Sequence, residues 1–435
     1  MHLQSVRIRN LRVFQDVEVR VQELDPKVPL SNVHVFLGTN GSGKTSLLRA
    51  IALTAVAEVL PSSGLRLYSL ARRVGPAPKA CRLDAVFSLG SQDGLAGTAR
   101  RSVSSRLTIE PRSGFNDSFG TMTYPSELKK IVWDDRSPAA LVLGYGATRR
   151  VETHASAALQ AQTARDRGLR YGRVAGLFEE HVPMLPLNAW LPQYAGRNPG
   201  RHAQVVTLVN ELLADVDITL QPKAIDGEYL FQVGTARLPL AALSDGYRAY
   251  IGWISDMLYH VCMGCPTGKK LTDNEGIVLI DEIDLHLHPQ WQRLVIPRLS
   301  RVLPRLQFFL TSHSPLVAGS VPAANLSVVE RPSAAGGAIV MAGAYDVYGW
   351  SSDQILASPL FNETASRNEE AVQAIKTASV GARRGDRQAA FDLMHVLAEG
   401  VSQPDSSPAS APRKTTRTVR ARPDATAKPA RRPAK

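Results

Sequence analysis

Eight consecutive residues, Gly38-Thr39-Asn40-Gly41-Ser42-Gly43-Lys44-Thr45, follow the pattern GxxxxGK[ST] between an apolar strand-like run and a helical one. Glycines at these places let backbone N–H groups wrap a chain of phosphates, and the start of the following helix adds positive potential. Lys44 is placed to reach the β- and γ-phosphates. The Thr45 hydroxyl is placed to ligate magnesium, and Ser46 completes the binding run. The chemistry implied is binding of ATP with Mg2+. A chance glycine turn is the competing explanation, and the flanking strand and helix count against it.

Three further stretches complement that loop. Ile277-Val278-Leu279-Ile280-Asp281-Glu282 is an apolar strand ending in two carboxylates. Asp281 falls where a ligand to magnesium or its water belongs, and Glu282 where a group polarising the attacking water belongs. Thr311-Ser312-His313-Ser314 follows a strand at Leu306–Leu310, so His313 can reach a γ-phosphate or that water. Leu243-Ser244-Asp245-Gly246-Tyr247 opens a helix with the apolar face Ile251, Ile254, Leu258 and Val261. Ser244 and Gly246 at a helix start make a second phosphate site. One fold has one γ-phosphate position per loop, so the natural use of a second site is to cap the nucleotide of another copy. An ordinary N-cap serine is the plainer alternative.

The elements that must position these residues are legible from periodicity. Residues 2–8, 17–22 and 33–37 read as strands, with a polar turn at Asn10-Leu11-Arg12. Leu47, Leu48, Ile51, Ala55, Val56 and Val59 recur at helical spacing. Residues 82–89 and 105–109 read as strands separated by Gly/Ser/Asp turns. Residues 150–216 read as mostly helical and arginine-rich, without sustained heptads, which argues against a coiled-coil arm. The non-alternating strands 276–280 and 306–310 suit a parallel sheet covered on both faces.

Composition sets the remaining bounds. The net charge of +12 is uneven: residues 401–435 carry nine Lys or Arg against two Asp, a net +7, leaving +5 for the body. From Pro404 the chain is Pro, Ala, Ser, Thr, Lys and Arg, the composition of a disordered basic tail able to hold nucleic acid through counterion release. Cys81, Cys262 and Cys265 are too few for a disulfide framework, and the CxxC pair lacks a second ligand pair, so reduced structural thiols are expected. No apolar run is long enough for a bilayer, and the start of the chain lacks a signal-peptide pattern. No membrane insertion and a cytoplasmic location are expected.

Taken together and in this order, the four motifs resemble those of the ABC ATPases. Leu243–Tyr247 resembles their signature, with Asp245 where glycine and Tyr247 where glutamine is commonest, and His313 matches their switch histidine. Within that group the chain is more similar to the RecF/SMC-like and OLD-like ATPases, including short ATPases of bacterial anti-phage systems such as Septu and certain retrons. Ile8–Arg12, Gly144–Arg149, Asp281–Pro289 and Asp346-Val347-Tyr348-Gly349-Trp350 carry that likeness over residues 1–370. Two departures stand out: no Q-loop glutamine, its stretch being taken by Tyr145–Arg149, and Leu287-His288 where the D-loop has Leu-Asp.

The resemblance implies an α/β fold, an ABC-type ATPase head with an antiparallel β layer and an inserted helical lobe. The domain expectation is an N-terminal half over 1–150, the lobe over 151–216, a C-terminal half over 217–370, a helical segment over 371–403 and the tail from 404. It also implies ATP hydrolysis in a homodimer closed through the nucleotide, controlling a repair or anti-phage activity. Nucleic acid and an effector nuclease from a neighbouring gene are the partners to consider. The alternative is the energy subunit of a transporter, against which Asn10–Arg12 and Asp284–Pro289 count. A nuclease within the same chain is a third reading, and the stretch after His313 offers no strand-borne acidic cluster for it.

Overall fold

The structure, a computed structural model, describes residues 1–74, 78–94, 100–151, 157–214, 217–331 and 337–361, and beyond them 373, 375, 377–379, 381–382 and 386–399. The basic tail from Pro404 lies outside the described residues. The chain divides into units 1–364 and 365–435. In the second unit Arg387–Glu399 is a helix.

The first unit opens with strands β1 (His2–Leu11), β2 (Phe14–Arg20) and β3 (Val33–Leu37) and helix α1 (Lys44–Ala55). Strands β4 (Leu67–Tyr68), β5 (Cys81–Leu89), β6 (Arg101–Glu110) and β7 (Asn116–Thr123) follow, then α2 (Ser126–Val132) and β8 (Val142–Tyr145). The middle holds β9 (Arg150–Val151), α3 (Ala157–Gly168), β10 (Pro183–Met184), α4 (Leu187–Arg197) and α5 (Pro199–Leu212). A small meander, β11 (Ile218–Leu220), β12 (Leu230–Val233) and β13 (Ala236–Pro239), leads to α6 (Asp245–Met263). Then come β14 (Gly276–Ile280), α7 (Pro289–Val302), β15 (Leu306–Ser312), α8 (Pro315–Ala318), β16 (Leu326–Glu330), β17 (Ile339–Ala342) and α9 (Ser352–Leu356).

Two six-stranded sheets dominate. One is antiparallel at every pairing, in the order β2-β1-β5-β6-β7-β4. The other runs β17-β16-β3-β15-β14-β8, parallel throughout except at its β17 edge. Its strands β3, β14 and β15 are buried at every position, as a sheet covered on both faces requires. Successive side chains of a strand point to opposite faces. Val33, Val35, Leu37, Val278, Ile280, Phe308 and Leu310 therefore enter one core with residues of α4, α5, α6 and α7. Phe36, Ile277, Leu279 and Phe309 enter the other, with α1 and the antiparallel sheet.

Helix α1 lies between the two sheets, which explains its composition. Its sequence KTSLLRAIALTA is apolar nearly all round, and all but two of its residues are buried. The first turn differs slightly from expectation. β1 runs on through Leu11, and the reversal falls after it, with Asn10 (φ 53°) and Arg12 (φ 45°) in the left-handed region. Four arginines between 149 and 173 face inward, while Arg165 is exposed. Arg149, Arg167, Arg170 and Arg173 are all buried. Arg170, for example, donates to the carbonyls of Ala139 (2.6 Å), Ala140 (2.8 Å), Asp134 (3.0 Å) and Ser137 (3.1 Å).

Candidate active site

The order β3-β15-β14 sets three carboxyl ends side by side, and each delivers one motif. β3 feeds the glycine loop, β14 ends at Asp281 and β15 ends just before His313. Ligands in open α/β sheets bind at such ends. A cleft of about 210 Å3 opens there, lined by Arg12, Val13, Asn40, Gly41, Gly43, Lys44, Thr45, Ser46, Glu282 and His313.

The loop needs its glycines for two separate reasons. Gly41 (φ 76°) and Gly43 (φ 116°) take left-handed backbone that side chains rarely adopt. A Cβ on Gly43 would also stand 2.6 Å from Val13 Cγ2 and 2.8 Å from Phe14 Cζ, and one on Gly38 would strike the Val329 carbonyl. Lys44 closes the loop on itself: its ammonium donates to the carbonyls of Gly38 (2.9 Å) and Thr39 (3.0 Å). Burial lowers its pKa to about 8, opposed by Asp281, Glu282 and Asp284, so the cation persists at neutral pH. The Ser42 hydroxyl is buried and has no hydrogen-bond partner among the described residues.

Asp281 is the hub of the site. Its carboxylate accepts from the Thr45 hydroxyl (2.7 Å) on one oxygen and from the Thr311 hydroxyl (2.6 Å) on the other. These are hard oxygen donors, few in number, as magnesium prefers when phosphates and water supply the rest. Thr45 and Asp281 therefore fit the ion expected from the sequence. Among the described residues no cluster of three or more His, Cys, Asp or Glu forms a metal cage.

Glu282 adopts φ 48°, unusual for a residue with a side chain. Two contacts hold it there. Its N–H donates to Thr311 Oγ1 (2.7 Å), and its carbonyl accepts from Arg149 Nη2 (2.7 Å). Arg149 Nη1 donates to the carbonyl of Asp281 (2.5 Å) as well, so one buried guanidinium clamps both carboxylate-bearing residues by their backbone. Sequence reading noted the missing glutamine in this stretch but assigned Arg149 no role. Burial, then Asp281 and Asp284, raise the Glu282 pKa above the usual carboxylate range, against the pull of Lys44 and Arg149. A carboxylate shifted this way is a better base. His313 is shifted down, by burial and then by Lys44, which favours the neutral imidazole.

Arg12 is a second residue that sequence reading quoted without a role: it lines the cleft and donates to the Ser69 carbonyl (3.2 Å). Ser244 and Gly246 do not line the cleft. Ser244 is the N-cap residue of α6 but its side chain makes no capping bond. Gly246 lies against the loop after β14, where a Cβ would stand 3.0 Å from the His286 carbonyl. That loop ends at His288, whose ring accepts from the Gln290 N–H (3.4 Å) and caps α7. Cys262 is buried, and the Cys265 sulfur accepts from Arg201 Nη1 (3.0 Å).

Comparison with known proteins agrees with this geometry. Residues 170–319 match the family profile described as "AAA domain, putative AbiEii toxin, Type IV TA system", and residues 1–57 match one described as "AAA ATPase domain". The chain is 26% identical over 312 residues to the Septu protein PtuA of Bacillus mycoides (strain KBAB4), covering 71% of this chain and 38% of that protein. It is 38% identical over 94 residues to the retron Ec83 probable ATPase of Escherichia coli, covering 22% of this chain and 17% of that one. The matches thus span well under two thirds of these relatives' length. Among solved structures, an SMC head bound to the C-winged helix domain of ScpA aligns with TM-score 0.51 at 13% identity, over 79% of this chain and 98% of that one. Among the described residues no helix is long and apolar enough to cross a membrane.

Proposed function

We propose that this chain, similar to the Septu and retron ATPases, matched in part by AAA-type ATPase profiles and folded like an SMC head, hydrolyses ATP to ADP and phosphate as a nucleotide-closed homodimer. The observation that carries this is the convergence of Lys44, Thr45, Asp281, Glu282 and His313 on one site from three adjacent strands.

The residues divide the work by their chemistry. The backbone of Gly38–Thr45 and the Lys44 ammonium hold the phosphates, with Ser46 at the start of α1. Thr45 and Asp281 would hold Mg2+, which supplies charge neutralisation for the transferred phosphoryl. Glu282 orients and deprotonates the attacking water, and neutral His313 donates to the oxygen developing charge.

Dimer closure is supported by Ser244 and Gly246, which stand at the start of α6 outside the cleft lining, with the Ser244 side chain making no capping bond to its own helix. In this reading they cap the phosphate of the other copy's nucleotide. The biological role proposed is control of an effector, such as a nuclease, in anti-phage defence or repair. The Septu and retron likeness favours defence, and the tail expected from sequence would add salt-sensitive nucleic-acid affinity.

Two variants test the chemistry. Lys44→Ala should abolish ATP binding in a fluorescent-nucleotide titration, because alanine leaves the phosphate cradle without its cation. Binding at wild-type affinity would refute the site. Arg149→Met should leave nucleotide affinity nearly unchanged and lower kcat by about 100-fold, the scale of a misplacement near 1 Å. Equal losses in binding and turnover would show that Arg149 shapes the cleft as a whole rather than setting Glu282.

A further inference from the structure

The Asp346–Trp350 stretch takes no part in the nucleotide site, yet the structure spends backbone hydrogen bonds to hold it. Val347 is buried as an anchor, and Gly349 turns the chain at φ 77°. The Gly349 N–H donates to the Gly319 carbonyl (3.0 Å) and the Trp350 N–H to the Val347 carbonyl (3.1 Å). Ser351 and Gln354 then form a reciprocal cap on α9. The product of this fixed turn is two aromatic rings in solvent, Tyr348 at 59% and Trp350 at 47% exposure.

Those rings border two adjoining clefts of about 380 and 520 Å3, which share Pro297, Ser320 and Tyr348. Among the described residues the charged ones lining them are Arg293, Arg301 and Lys27, with no carboxylate; the Asp346 carboxylate stands behind the turn, accepting from the Tyr348 N–H (3.4 Å). Tyr, Trp and Arg are the residue types enriched in protein interfaces and at their hot spots.

We propose that this continuous cleft docks an extended, acidic segment of a partner protein. Charge selects that occupant. The chain's own segment 401–435, at a net +7, would be repelled by the three cations. Single-stranded nucleic acid shares the sign, but it is gripped by cations that track successive phosphates together with stacking rings. Here the cations are few and the walls are rich in proline, which has no backbone N–H for a phosphate. An extended peptide can set aliphatic side chains against Tyr348, Trp350 and the prolines while its carboxylates meet Arg293 and Arg301.

Random-peptide phage display on the intact protein, with counter-selection on its Trp350→Ser variant, tests this directly. Acidic sequences with interspersed aliphatic residues should be enriched. The selected peptide should bind the wild type about 30-fold more tightly than Trp350→Ser, the loss typical of a hot-spot residue. A peptide with its acids replaced by lysine should not bind. Arg293→Glu with Arg301→Glu, which leaves the aromatic turn intact, should weaken the acidic peptide comparably and improve the lysine one. Enrichment indifferent to charge, or equal affinity for all variants, would overturn the proposal. So would oligo(dT) binding that Trp350→Ser abolishes, which would assign the cleft to nucleic acid.

Discussion

Glu282→Gln is expected to keep ATP and to lose turnover by about 10²–10⁴-fold, the usual contribution of a positioned general base. The amide preserves the size of the side chain and most of its hydrogen bonding. The backbone contacts that fix the residue, Thr311 Oγ1 to its N–H and Arg149 to its carbonyl, do not involve the side chain and survive the change. ATP should then accumulate in a closed two-copy state, measurable as a doubling of mass by light scattering on adding ATP. Adding Ser244→Arg should prevent that closure by crowding the cap at the start of α6 while each monomer still binds nucleotide at Lys44. A Glu282→Gln protein that turns over normally would remove the base assignment. A mass indifferent to both ATP and Ser244→Arg would remove the shared sandwich.

The parts of the site that were legible in the sequence are those carried by short, contiguous signals. β3 at Val33–Leu37 and β14 at Gly276–Ile280 match the expected strands end to end, because fully buried strands between polar or glycine-rich turns leave short, mostly apolar runs, broken in β3 only by the buried His34. β15 extends two residues past expectation, through Thr311 and Ser312, because polar side chains there are satisfied inside the fold: Thr311 bonds Asp281 and the N–H of Glu282. The antiparallel layer and α/β head were likewise anticipated. What the sequence concealed were contacts between residues far apart in the chain. Arg149 lies 132 positions from Asp281, and nothing local marks it as the clamp on that turn. The inward fate of Arg167, Arg170 and Arg173 was equally hidden, since a run of arginines in a helical stretch usually reads as a solvated face.

The same blindness covers Asp256, whose replacement by alanine should be strongly destabilising. Asp256 lies on α6, fully buried, and gathers four groups. Its carboxylate accepts from Tyr145 Oη (2.9 Å), from Arg167 Nη2 (2.5 Å) and from the N–H of Leu185 (2.9 Å), with His260 Nε2 at 3.5 Å. Although burial alone would raise its pKa, Arg167 and then His260 outweigh burial and hold the carboxyl well below the usual range. Alanine would leave the Arg167 charge buried without its counter-ion. Breaking one side of a buried pair costs about 3–5 kcal/mol, even where the intact pair adds little net stability.

The consequence extends beyond stability. The Asp281 N–H donates to the Tyr145 carbonyl (2.8 Å), so Asp256 ties α6, the helix whose N-cap residue is Ser244, to the strand beside Asp281 and Glu282. The pH dependence has a defined sign. Burial lowers His260 to about 4 against the ordinary 6.5, so between those values the unfolded chain binds more protons and stability falls with acid. The Asp256 contribution is complete above the ordinary carboxylate range and is lost progressively as pH falls below it. Urea unfolding of the wild type should therefore show a falling midpoint from pH 6.5 to 4. Asp256→Ala should lie several kcal/mol below wild type at pH 7, and a difference under about 1 kcal/mol, the size of an ordinary surface pair, would refute the anchoring role.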